Sequence, residues 1–286
     1  MHSGNNNNIW ELPFGQPAEL ELQTEWGNVA LVPVERGQSP RLELAPGSAE
    51  HIAVYVDKQG DAVRVSLDPQ HSFKWFGGWE CRAMLYVPRD VRAHLQTNAG
   101  SVSVRDLERC ELGIKVNAGK IDLINVFGLV HLAADAGSVT GRDLGGYFDI
   151  ETQAGSVRLE IVDLQPGEHR VRAGTGSLRV ELARGLDVCI ETHTGLGSVR
   201  NRYPSRPNAA TKLLLSTEMG SVRVDEGASF RAAPPYHAAP EQRHEPEPPI
   251  GVPRVDPELE RILKMVEAGE LSAHEADELL RAMGRV

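Results

Sequence analysis

Apolar and polar residues alternate with a period of two through most of this chain, and the alternation is punctuated by one recurring phrase. The phrase reads TNAGSVSV at 97–104, VNAGKIDL at 116–123, ADAGSVTG at 134–141, TQAGSVRL at 152–159, AGTGSLRV at 173–180, TGLGSVRN at 194–201 and TEMGSVRV at 217–224. Its glycines are Gly100, Gly119, Gly137, Gly155, Gly176, Gly197 and Gly220, giving steps of 19, 18, 18, 21, 21 and 23 residues. Five residues before them stand Leu95, Ile114, Leu132, Ile150, Val171, Thr192 and Leu215, and two after them Val102, Ile121, Val139, Val157, Leu178, Val199 and Val222. Alternation of this kind, rich in β-branched residues, predicts strands. The glycine predicts a corner, where positive φ or close backbone approach is needed.

A fixed short period means units too small to bury an apolar face alone, which must stack on their neighbours. The expected fold is mainly β: a β-solenoid of two-strand rungs of about 18–23 residues over residues 93–227. Rungs stack about 4.8 Å apart. The last rung, Ser221 to Val224, is expected to offer an open edge for end-to-end polymerisation or to be covered by the linker folding back over it. Residues 9–92 are strand-rich but irregular (AELELQT, NVALVPV, RLELAP, HIAVYVD) and predict an N-terminal β cap continuous with the solenoid, in which Trp26-Gly27-Asn28-Val29 is a degenerate copy of the phrase.

The alternation stops after residue 227. Residues 228–255 hold Pro234, Pro235, Pro240, Pro246, Pro248, Pro249 and Pro253, and proline cannot donate to a sheet ladder, so this stretch predicts a linker. Residues 256–286 change to a helical period. Asp256-Pro257 opens a helix with Leu259, Ile262, Leu263 and Val266 on one face; Gly269 ends it, and Ser272 to Glu275 is a capping box for a second helix carrying Leu279, Leu280 and Met283. A hairpin this small buries little by itself, so these apolar positions are the expected contacts to a partner or a second copy.

Composition narrows the function classes. A formal net charge of -10 disfavours general nucleic-acid binding, and 5% aromatic content suits an aliphatic repeat interior. The chain starts with neither a basic segment nor an apolar run, lacks a stretch long enough to span a bilayer, and carries three cysteines without a C-x-x-C pair; a cytoplasmic protein with reduced thiols is the expectation. No nucleophile elbow, zinc-helix, phosphate-loop or dinucleotide motif occurs, and neither catalytic residues, cofactor nor metal are expected. His94 and His131 share an outward column but stand two rungs apart with Gly113 between, about 9–10 Å, too far to share a first-row metal.

Besides the hairpin, two features remain for binding. Three residues after the glycine, the last four phrases carry Arg158, Arg179, Arg200 and Arg223, a column of like charge with Glu160, Glu181 and Asp225 two residues further on. It reads either as a surface ion-pair ladder or as an anion-binding stripe for acidic lipid, glycan or nucleic-acid phosphate. Trp75, Phe76 and Trp79 form an aromatic cluster around Gly77-Gly78, which reads as a cross-strand core pair or an exposed patch.

The rungs Ala99-Gly-Ser-Val102 with Arg105-Asp-Leu107, and Ala136-Gly-Ser-Val139 with Arg142-Asp-Leu144-Gly145, preceded by Leu85-Tyr-Val-Pro88, resemble the bacterial "putative adhesin" β-solenoid family over residues 10–227. Residues 262–280 are similar to the SHOCT-like helical hairpins that accompany that solenoid in envelope-stress proteins. The resemblance implies a non-enzymatic scaffold or sensor that binds or docks through its surface and hairpin, linked to an envelope or stress response. Binding of an anionic polymer or membrane surface through the Arg column is the alternative, and a polysaccharide-active β-helix enzyme the remaining one.

Overall fold

The computed structural model describes residues 8–69 and 81–227. Trp75, Phe76 and Trp79, the linker, and the hairpin residues Leu259, Ile262, Leu263, Val266, Leu279, Leu280 and Met283 lie outside them. The compact unit that holds the described residues is mainly β, as the alternation requires. Its strands are β1 (Ile9–Glu11), β2 (Glu19–Pro33), β3 (Arg41–Leu44), β4 (Ile52–Gln59), β5 (Ala62–Pro69), β6 (Arg82–Val87), β7 (Arg92–Leu164), β8 (Gly167–Leu182), β9 (Val188–Asn201) and β10 (Thr211–Glu226), with one helical turn, α1 (Pro46–Ala49).

β7 is 73 residues long, a length no straight strand of a domain this size could span at about 3.3 Å per residue. It turns at its glycines and returns against itself: Gly119 lies on the Gly100 carbonyl, Gly137 on Gly119 and Gly155 on Gly137. Side chains follow the same spacing, with Asn117 donating to Asn98 and Gln153 to Asp135, each at 3.1 Å. The parallel register extends in both directions, pairing Gly27 with Gly100 and Gly155 with Gly176. Trp26-Gly27-Asn28-Val29 therefore occupies a stacked position like any other phrase, and Ser101 donates to Asn28 across it.

A second corner repeats within β7. Asp106, Asn125 and Asp143 all take positive φ, between 53° and 56°, and Asn125 donates to Asp106 at 2.6 Å. Asn and Asp tolerate this left-handed conformation better than other side-chain-bearing residues. On β7, β8 and β10 the residues five before and two after the phrase glycine face inward: Val102, Ile121, Val139, Val157, Leu178 and Val222 are all buried in one continuous core with Leu95, Leu132, Ile150, Val171 and Leu215.

The phrases do not stack in chain order at the C-terminal side. β10 pairs in parallel with β8 on one side and with β9 on the other, so the spatial order is Gly155, Gly176, Gly220, Gly197. The expectation that Ser221 to Val224 form the end rung is corrected: among the described residues β10 is internal and β9 is the outer strand. The chemistry of the inward positions explains the order. β10 offers Leu213, Leu215, Thr217, Val222 and Val224, all at most 2% exposed, whereas in register β9 offers Ile190, Thr192, Thr194, Val199 and Asn201, more polar at the second and last of these places. The strand with polar inward residues goes to the outside.

Candidate functional site

The outward residues after the corner build a ladder of like charge. Arg158 of β7 pairs in register with Arg179 of β8, Arg179 with Arg223 of β10, and Arg223 with Arg200 of β9. The four arginines expected from the sequence are thus brought together, in the order 158, 179, 223, 200. Two residues further along the same strands Glu160, Glu181 and Asp225 form a parallel acidic column. On β9 the equivalent place after Asn201 is taken by Arg202, which lies 3.7 Å from Asp225.

Counter-charge is distributed unevenly along the ladder. Glu181 receives Arg179 at 3.1 Å and Arg158 at 3.4 Å. Asp225 accepts from Arg223, and that hydrogen bond, with the nearby charges of Arg223, Arg202 and Arg179, holds its carboxyl below the ordinary Asp range against the opposing effect of burial. Arg200 has no acidic partner among the described residues, and the Nε–H of Arg179 is buried without an acceptor. Like charges about 4.8 Å apart repel by roughly 1 kcal/mol per neighbour even in water, so the β9 end is where positive potential is least compensated.

A second concavity, about 550 Å³ in volume, lies on the strand arms before the corner. Its lining includes Glu21, Arg64, His94, Lys115, His131 and Asp149. Gly113 makes the floor: a side chain there would overlap the His94 ring, which leans across it. His131 Nδ1 stands 3.8 Å from the Asp149 carboxylate. Among the described residues no three His, Cys, Asp or Glu side chains converge as metal ligands would, and no helix is long and apolar enough to cross a membrane.

Sequence reasoning missed two features: the Asp106, Asn125, Asp143 corner and the buried His169. The corner was signalled by Asp or Asn six residues after three successive glycines. His169 is fully buried, with Nδ1 accepting from the Phe148 N–H at 3.2 Å and Nε2 2.7 Å from the Gln165 carbonyl.

A family model described as a SHOCT-like domain matches residues 257–285. Comparison with curated proteins finds no match. Among solved structures, the chain is similar to a "putative cell adhesion protein" from Clostridium sporogenes, at 9% identity and TM-score 0.33, covering 77% of this chain and 98% of that one. It is also similar to a "putative adhesin" from Bacteroides fragilis at 12% identity and TM-score 0.37, covering 76% and 94% of the two chains. A third, a "putative adhesin" from Parabacteroides merdae, gives 14% identity and TM-score 0.31 over 76% and 95%.

Proposed function

We propose that this chain is a non-enzymatic β-solenoid binding module, a scaffold or sensor whose SHOCT-like hairpin at 257–285 mediates oligomerisation or partner docking. The observation that carries the reading is the registered stacking of one phrase, Gly27 on through Gly197, around a mainly aliphatic interior. Such a stack turns sequence repetition into a long surface with outward side chains at the same places from rung to rung, which suits recognition of a partner over many weak contacts. The catalytic constellations that need a nucleophile, base and oxyanion donors on different loops have no counterpart in corners built from Gly, Ser, Asp and Asn. On this reading the protein works in the cytoplasm, in a response to envelope or other stress.

Substituting Leu263→Asp and Leu280→Asp in the full chain tests the hairpin's part. The expected result is loss of the co-purifying partner or a fall in particle mass by light scattering; a variant that keeps both sinks the hairpin's role.

A second reading is favoured by the uneven compensation of the Arg ladder: Arg200 and the β9 end form an anion-binding stripe. Full-length protein is then retained on immobilised heparin with a retention that falls steeply with salt, and Arg179→Ser with Arg200→Ser abolishes it. Retention that is salt-insensitive, or unaltered in the double variant, overturns this reading.

A further inference from the structure

Among the described residues no strand pairs with β9 on the side away from β10. The first part of that edge is covered by the following loop, where Ile190 donates its N–H to Ser205 Oγ at 2.8 Å and the Arg206 N–H reaches the Val188 carbonyl at 2.9 Å. The rest, from Glu191 to Asn201, presents backbone groups and the ends of inward side chains. Val199 is 43% exposed where its internal equivalent Val222 is 1% exposed. Just before the corner, where earlier phrases have Ala99, Ala118, Ala136 and Ala154, β9 and β10 place Leu196 and Met219 side by side, 70% and 50% exposed. From Ala99 through Thr175 this position is small; large apolar residues take it at this end and, as Trp26, on the N-terminal side of the stack.

We propose that this edge is a self-association surface, covered by β9 of a second copy in an antiparallel, two-fold arrangement. The covering strand must supply inward residues that meet Val199 and a corner that meets Leu196. Within the described chain every other copy of the phrase is already enclosed between two neighbours. The phrase that remains available is β9 itself, on another molecule.

Charge selects the direction. Glu191 and Arg200 are both exposed, at opposite ends of the open stretch. A parallel copy would add a fifth arginine to a column in which Arg200 already lacks counter-charge. An antiparallel copy brings each Glu191 toward the other molecule's Arg200, giving two opposite-charge cross-strand pairs. The strands that finish the sheet on its other side do not offer the same surface: β1 has three residues, and β4 is antiparallel to its neighbour and ends in Asp57-Lys58-Gln59. Short or charged edges resist pairing, and a long edge with exposed apolar residues invites it. A two-fold contact between identical edges closes on itself and produces a pair, not a filament.

The test uses the full chain and light scattering over a range of concentrations. Leu196→Lys with Val199→Lys, both at exposed positions, is expected to halve the particle mass of a chain whose hairpin carries Leu263→Asp and Leu280→Asp, the background used for each comparison below. Glu191→Arg or Arg200→Glu alone is expected to weaken association by about three- to thirtyfold, two cross-strand pairs being lost per contact, and the two together to restore it. Association through the hairpin is indifferent to that charge exchange, so its failure and the failure of this edge contact read out separately. A wild-type chain that is monomeric throughout, an unchanged mass in the double lysine variant, or a charge-exchanged pair that fails to recover each overturns the proposal.

Discussion

Gly220 is registered on Gly176, although Gly197 stands between them in the chain. The polypeptide leaves β8, makes the outermost strand β9, and returns to insert β10 inside it. β10 is therefore held on both sides and β9 on one. The loop that reverses the chain is fastened by Tyr203, whose hydroxyl donates to the Ala183 carbonyl at 2.7 Å and accepts from the Leu186 N–H at 2.8 Å.

That order predicts a local hierarchy of stability. Amides of β9 from Glu191 to Asn201 are expected to exchange with solvent deuterium faster than those of β10, by about tenfold or more, because opening β9 breaks one ladder and exposes little apolar area. In simple chain-order stacking the opposite ranking would hold. Mass-resolved hydrogen exchange on overlapping peptides decides it; slower exchange in β9 than in β10 contradicts the topology, unless it appears only at concentrations where the edge is covered by a second molecule.

The corner glycines differ in what a methyl group would cost. At Gly155, φ is +144° and a Cβ would overlap the Gly137 carbonyl oxygen, so Gly155→Ala combines backbone strain with a clash that no side-chain rotation relieves. A loss of about 2–6 kcal/mol is expected from the two effects together. Gly185 also has positive φ, +84°, but nothing lies near the added methyl, so Gly185→Ala should cost about 1 kcal/mol from strain alone. Denaturant midpoints of the two variants check the contrast, and equal losses would refute the close approach at Gly155.

Much of this was legible in the sequence because a corner with a close backbone contact admits only glycine and the interior between the corners is mostly aliphatic and threonine. The phrase positions and the inward column follow from those two rules. The order of the last two phrases does not, since TGLGSVRN and TEMGSVRV carry the same G-S-V-R core and either would register on Gly176. The deciding signal lay outside the shared G-S-V-R core, in Thr192 and Asn201 against Leu215 and Val224. The same limit applies to the Arg ladder: spacing places Arg158, Arg179, Arg223 and Arg200 in one column, but which of them finds a carboxylate depends on Glu181 sitting between two neighbours and on Arg202 taking an acidic place.

Thiol reactivity follows burial. Cys81 and Cys110 are buried, and desolvation pushes their thiols up to about 11 and about 12, so neither is a thiolate near neutral pH. Cys189 on β9 is partly exposed. Titration of the native protein with an aromatic disulfide reagent at pH 8 should release one equivalent quickly and the other two only on denaturation. Three fast equivalents would show that the core around Gly27 and Phe127 opens readily.

His169 gives the fold an acid sensitivity. Its Nδ1 accepts the Phe148 N–H, so the ring proton is on Nε2, facing the Gln165 carbonyl, and the ring is enclosed by Tyr147 and Phe148. A second proton would have to sit on Nδ1, against an N–H donor. Burial accordingly lowers the His169 pKa below 6.5, opposed by the hydrogen bond to Gln165 and the charge of Asp163. The unfolded chain then binds a proton that the folded chain does not, between the folded value and about 6.5. Stability should be full above that range and fall as pH drops through it, levelling off only below the folded pKa. His169→Leu leaves the Phe148 N–H and Gln165 carbonyl unpaired and should cost about 1–3 kcal/mol at pH 7.5. It should also flatten the profile between pH 7 and pH 5. Thermal melting across that range, compared for the two proteins, checks both effects, and a slope that persists in the variant would assign the acid sensitivity to another group.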